Sequence, residues 1–247
     1  MRSYPRTLLV ATRNQHKLQE LRAKLTTLPI KVVGLDDVSG VPADVEETGE
    51  TFAENACLKA VTYGRAAGLP TLADDSGLEV DALEGAPGVY SARYAGPDAT
   101  DADNNARLLR DIDHVADENR TARFRCALAL YLPGGVDAAI LSHEAAAATG
   151  FEVHSPDTLV GAGVSDVVME NTLNTQISDF VIVTDGAAEG SILRQAQGED
   201  GFGYDPLFHS RDLGCSFAEA GDLKHRVSHR ARALRKLLSL LGADETR

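Results

Sequence analysis

The sequence predicts an α/β protein built on one mixed β-sheet with flanking helices, and three observations lead there. Short apolar runs alternate with helix-period stripes without a strict strand–helix–strand repeat, which favours a mixed sheet over a barrel or a fully parallel sheet. The 247 residues, 43% hydrophobic and 25% charged, are enough to bury a substantial core. Cys57, Cys126 and Cys215 lie far apart with no CxxC pair, so packing rather than a disulfide framework must hold the fold.

Leu8 to Ala11 is a short buried strand. In the following TRNQHKLQELRAKL, Leu18, Leu21 and Leu25 share one helical face, so the strand turns tightly into a helix. Ile30 to Leu35 is a second strand, and Pro42 to Glu50 an acidic loop. Thr51 and Glu54 form a capping box that opens a helix with Phe52, Ala56, Ala60, Tyr63 and Ala67 on one face. Gly68 and Pro70 end it. Leu69 to Ala73 and Leu78 to Val80 read as strands on either side of a turn, Asp74-Asp75-Ser76-Gly77, and Gly85, Pro87 and Gly88 mark a loop.

Asn104 to Ile112 predicts a helix. Alternating Ala122, Phe124, Cys126, Leu128, Leu130 and Leu132 predict a half-buried strand ending in a hairpin turn at Gly134-Gly135. The last helix carries Val227, Ala231, Leu234, Leu238 and Leu241 on one face and basic residues on the other, with Gly242 as its stop. Ser142 to Phe180 behaves differently: Ala-rich, then rich in Ser, Asp, Asn and Thr, it has weak periodicity and no Lys or Arg. It reads as an insertion, at about 142–180, in a single domain spanning 1–247.

The net charge of −13 argues against general binding to nucleic acid or an anionic membrane surface, and leaves a small polyanionic ligand open. The apolar run at Leu8 to Ala11 is too short for a signal-peptide core, and no run approaches the roughly 18 residues of a membrane helix. A cytoplasmic address is the expectation. Lys224, Arg226, Arg230, Arg232, Arg235 and Lys236, with His225 and His229, form a run without an acid: either a solvated helix face or a local anion site.

Thr12, Asn14 and Lys17 sit where a strand passes into a helix. Free backbone N–H groups and the helix dipole could receive phosphate there, or Asn14 could simply cap a helix whose Lys17 is solvated. The spacings of a P-loop and of a dinucleotide fingerprint are absent, as are HExxH and GxSxG, which leaves zinc and serine-hydrolase chemistry without support. Adjacent carboxylates in Asp74-Asp75-Ser76-Gly77 and in Glu46-Glu47-Thr48-Gly49 suit Mg²⁺, which takes one or two protein carboxylates and completes its shell with water and substrate phosphate. Gly201-Phe202-Gly203-Tyr204-Asp205-Pro206 makes a fixed backbone carrying rings on which a planar base could stack, or a structural turn whose rings are core.

The segments TRNQHK, EETGETFAENACLKA, LADDSGLEVDALEGAPGVYSARYAG, GFGYDPLF and SHRARAL together resemble the inosine/xanthosine triphosphate pyrophosphatase family. The resemblance covers most of residues 7–132 and 198–241. It implies an elongated ITPase-like α/β fold of two lobes around a nucleotide cleft, a homodimer, and Mg²⁺-dependent hydrolysis of dITP, ITP and XTP to monophosphate and pyrophosphate. It places phosphate binding on Thr12, Asn14 and Lys17, substrate binding also on Arg13, Gln15 and His16 between them, and the metal on Glu46 and Asp75, with Asp75 also the base. Nucleotide binding falls on Ser76, Phe202, Gly203, Tyr204, Asp205, Lys224, His229 and Arg230. Two departures stand out: Glu84 occupies a position where the family usually has glycine, and Thr184 to Ile192 lacks the family's tryptophan-proline pattern. The alternatives are a Maf-type pyrophosphatase acting on other modified triphosphates and a non-catalytic nucleotide sensor.

Overall fold

The computed structural model describes residues 7–26, 28–134, 152–154 and 179–241, with 152–154 described by backbone pairing alone. The elements are β1 (Thr7–Ala11), α1 (Gln15–Leu25), β2 (Lys31–Gly34), α2 (Phe52–Ala67), β3 (Thr71–Val80), α3 (Asp101–Asp111), β4 (Thr121–Leu132), β5 (Glu152–His154), β6 (Phe180–Ile192), β7 (Phe208–Ser210), α4 (Lys224–Val227) and α5 (His229–Leu240). The strands form one sheet in the order β2-β1-β3-β4-β6-β5, with β7 also paired to β6. β1 runs parallel to β2 and β3, whereas β5 and β7 are antiparallel to β6, so the sheet is mixed as the sequence predicts.

The chain divides into two compact units. One holds residues 1–75, 127–184 and 234–247; the other holds 76–126 and 185–233. In the first, side chains alternate across the strands. Leu9 and Ala11 of β1 join Ala73, Ala127, Ala129 and Tyr131 in a core covered by Ala56, Ala60 and Tyr63 of α2. Leu8, Leu72 and Leu130 turn to the opposite face, beside Leu25 of α1 and Leu237 and Leu238 of α5. The small residues of α2 let the helix sit close: a Cβ at Gly64 would overlap the Tyr131 ring. The Thr51–Glu54 capping box starts α2, and Gly68, at φ 63°, ends it in the left-handed conformation that glycine adopts without penalty.

The second unit has an aromatic core. Phe124, Phe208 and Phe217 lie with ring centroids 4.8 to 5.7 Å apart, beside Leu78, Leu108, Ile112 and Tyr204. Buried Arg120 spends its guanidinium on the carbonyls of Ile112, Ile192 and Leu193, satisfying the C-terminal end of α3 and the end of β6.

Several expectations need correction. Asp74-Asp75-Ser76-Gly77 is not a turn but the middle of the continuous strand β3, with both carboxylates buried. Turn propensity loses because lysines from other elements neutralise the two acids. The expected last helix is two, α4 and α5, separated at Ser228, whose ψ of 156° is extended; its hydroxyl accepts the Ala231 N–H. Its basic side is not uniformly solvated, since Lys224, His229 and Arg230 are buried. α3 begins three residues early because Thr100 and Asp103 form a capping box. Gly135, Gly242 and residues 142–151 and 155–178 of the expected insertion lie outside the described residues. Phe180, assigned to that insertion, already belongs to β6.

Candidate active site

Thr12 and Asn14 form the turn between β1 and α1. The Asn14 N–H donates to Thr12 Oγ1 at 3.2 Å, and Asn14 Oδ1 accepts the Lys17 N–H at 3.1 Å, which makes Asn14 the N-cap. Of the two alternatives for Asn14, the structure realises the cap, which uses the Lys17 N–H. Gln15 and His16 are exposed on the first turn, and the exposed Arg13 reaches the Pro42 carbonyl at 3.4 Å. Lys17 is not solvated: its ammonium pairs with Asp74, whose side chain is fully buried.

The neighbouring carboxylate, Asp75, is 7% exposed and takes Lys59 Nζ on Oδ1 at 2.8 Å; Glu47 Oε1 meets the same ammonium at 2.8 Å. Burial pushes the Asp75 carboxyl above its ordinary range, against the pull of Lys59. Burial acts on Lys59 in the opposite sense, but two carboxylates outweigh it and hold the ammonium above its ordinary value. The two shifts differ because Lys59 gains two opposite charges, while Asp75 shares one cation with another acid. Asp75 Oδ2 is buried and has no hydrogen-bond partner.

Glu46, the carboxylate assigned to the metal, is exposed; Glu47 is the one that faces Lys59. The loop bearing both is tied to α2: the Gly49 N–H donates to Asn55 Oδ1 at 2.8 Å, and the Glu50 and Thr51 N–H groups donate to Glu54 Oε2. Among the described residues no group of three or more His, Cys, Asp and Glu side chains gathers as a metal site. A magnesium ion needs only one or two. The orphaned oxygen of Asp75 beside this acidic loop suits a hard cation.

In the second unit, Lys224 and Asp205 form a buried pair at 2.5 Å, and the ammonium stands 4.9 Å from the centre of the Phe202 ring. Asp205 Oδ2 also accepts the Phe202 N–H at 2.9 Å. Tyr204 is core rather than an exposed ring; its hydroxyl donates to the Ser91 carbonyl at 2.9 Å. The His229 ring stacks on Phe124, 4.8 Å away and nearly parallel, and Arg230 donates to Ser76 Oγ at 3.0 Å.

Sequence reasoning missed Lys59, and it named Asp74 and Glu47 only among the acidic pairs, without their lysine partners. One signal for Lys59 was available: it falls seven residues after Phe52 and four before Tyr63, on the apolar stripe of α2, where a lysine needs a buried partner.

The Ham1 family model matches residues 8–150 and 167–240. A dITP/XTP pyrophosphatase of Geobacter sulfurreducens is 42% identical over 236 residues, covering 95% of this chain and 96% of that one. A dITP/XTP pyrophosphatase of Geobacillus kaustophilus is 41% identical over 231 residues, covering 93% and 91%. Among solved structures, a HAM1 protein from Coxiella burnetii superposes with a TM-score of 0.70 at 34% identity, covering 96% of this chain and 98% of that one. With matches of this extent in both sequence and fold, the chain belongs to the Ham1 family.

Proposed function

We propose that this protein is a nucleoside-triphosphate pyrophosphatase that hydrolyses non-canonical purine nucleoside triphosphates, dITP/ITP and XTP/dXTP, to the monophosphate and pyrophosphate. The relatives' activity supports this reading. The observation that carries the chemistry is Asp75: a buried carboxylate with one oxygen on Lys59 and the other without a partner.

Mg²⁺ would be held by Glu46 and Asp75; when bound it supplies positive charge against phosphate oxygens and makes water more acidic. Asp75 orients a water against the α-phosphorus and takes its proton. Its geometry favours this role, because Lys59 fixes one oxygen while the other has no partner. As the new P–O bond forms, the bond to the bridging oxygen breaks and pyrophosphate leaves. Lys17 and the N-terminus of α1 offset the charge growing on that leaving group. Phe202 stacks on the base, and donors from His229, Arg230 or the backbone near Asp205 meet the 6-oxo group. Adenine presents an amino group there, and facing donors of this kind can reject the wrong base by about 10⁴-fold. The active assembly is a homodimer. A non-catalytic sensor is disfavoured because Lys17, Glu46 and Asp75 stand together in one sequence.

Pyrophosphate release from ITP, XTP, dATP and dGTP, with and without Mg²⁺, tests the reading. Strong preference for ITP and XTP that depends on the metal is expected; equal rates on all four would reject it. Asp75→Asn should lower turnover by about 10²-fold or more while the protein still folds. Turnover near that of the parent at saturating Mg²⁺ would remove Asp75 from the chemistry.

A further inference from the structure

We propose that helix α3 is the positioning element of the base-reading loop, with Asp101 and Asn105 fixing the peptide at Gly203 and, through it, the attitude of the Phe202 ring. This rests on the reading above in assigning the base to Phe202. Asp101 and Asn105 are four residues apart on α3 and so share a face. Both reach the same residue. The Gly203 N–H donates to Asp101 Oδ2 at 2.7 Å, and Asn105 Nδ2 donates to the Gly203 carbonyl at 2.9 Å. Gly203 has φ 63° and Gly201 has φ 85°, so the loop folds through two left-handed residues whose flexibility leaves Phe202 free to tilt unless something holds it.

The clamp works with a second restraint on the other side of Phe202. There Asp205 accepts the Phe202 N–H, and Lys224, paired to Asp205, lies over the ring. Phe202 is thus held between Asp205 and the clamped peptide that follows it. Asn105 gives a further sign of purpose. Its Oδ1 is buried and accepts no hydrogen bond, because turning the amide to satisfy it would set an oxygen against the Gly203 carbonyl. An orphaned acceptor costs stability, so an apolar residue would suit packing at this position better. The donor to Gly203 is what the asparagine provides.

The test compares Asp101→Ala, Asp101→Asn and Asn105→Leu with the parent protein. Amide hydrogen exchange of the unliganded protein reports the clamp. Exchange at Gly203 should rise at least about fivefold in Asp101→Ala, the effect of losing one such bond, while β4 stays protected. Asn105→Leu should melt no lower than the parent. In kinetics, both should raise KM for ITP by about fivefold, leave kcat near that of the parent, and narrow the ITP:GTP preference. Asp101→Asn, which keeps an acceptor, should restore most of the loss. Inhibition by inorganic pyrophosphate should not change, because the phosphate groups lie elsewhere. Unchanged exchange at Gly203 in Asp101→Ala would overturn the clamp; faster exchange with unchanged KM and base preference would overturn its role in base reading. If the parent fails to cleave ITP and XTP, the proposed function is rejected and the base-reading role with it. The exchange result then decides the clamp alone.

Discussion

Lys59 carries its charge on the apolar stripe of α2, and its burial is tolerable only because Glu47 and Asp75 meet it at 2.8 Å each. The same contact leaves one Asp75 oxygen without a partner, so a residue that secures the fold also leaves its neighbour chemically incomplete. Glu84 illustrates strain of a different kind. It sits at φ 55°, ψ 33°, closing the short 3₁₀ turn Asp81–Leu83, and is the one non-glycine residue with positive φ among the described residues. The family resemblance expects glycine here, and the geometry gives the reason. A left-handed non-glycine residue costs about 1–2 kcal/mol. Glycine returns roughly 0.5–1 kcal/mol of that as lost chain entropy. Glu84→Gly should therefore stabilise the protein by about 0.5–1 kcal/mol, read as a rise of ~1–3 °C in melting temperature. A fall would mean that the Glu84 side chain makes a contact worth more than the strain.

At the scale of elements, the seat of α2 on the sheet depends on Gly64. Alanine at a helix interior would ordinarily gain about 1 kcal/mol over glycine. Here the added methyl meets the Tyr131 ring, which cannot swing aside because its hydroxyl is held by Asp179 at 2.7 Å. Overpacking of this kind costs about 1–3 kcal/mol. Gly64→Ala should thus be destabilising by up to about 2 kcal/mol, seen as a lower urea midpoint with an unchanged m-value. An increase in stability would show that the helix can lift from β4 without penalty. The break at Ser228 follows the same logic, since one continuous helix would lose the hydroxyl cap that starts α5.

For the whole molecule, the segment between β4 and β6 is bounded by two ends that the sheet holds together. These strands are sheet neighbours, and Asp179 ties their ends: its carboxylate accepts the Gly134 N–H and the Tyr131 hydroxyl, each at 2.7 Å, and faces Arg65. The chain between leaves and re-enters at a closed mouth. A variant joining Leu141 to Asp179 through a short glycine-containing turn keeps this closure and loses β5, whose pairing covers Val181 to Val183. Loop-closure entropy changes by only about 0.6 kcal/mol per doubling of length, so the variant should melt within a few degrees of the parent and keep Mg²⁺-dependent ITP hydrolysis. A folded variant that is inactive, or monomeric where the parent is dimeric, would place the segment in the active site or the interface.

Elements whose signals are local were legible in the residues themselves. The Thr51–Glu54 cap, the Gly68 stop and the leucine stripe of α1 appear in the structure where spacing put them, whereas the alternation along β4 holds only from Ala122 to Cys126, beyond which both faces of the strand are buried. These depend on neighbours within one or two turns, and the chain carries them wherever it goes. Tertiary structure alone decided that Asp74 and Asp75 lie inside a strand, that Lys17 and Lys59 are their counter-charges, and that Lys224 and Arg230 are buried on a basic stretch. The reason is electrostatic. A charge stays buried only where a partner meets it, and these partners come from distant positions: Asp75 is 16 residues from Lys59, and Ser76 is 154 from Arg230. Local propensity read the acids as a turn and left the basic residues open between a solvated face and an anion site, because the groups that make their burial possible lie outside any window that propensity can see.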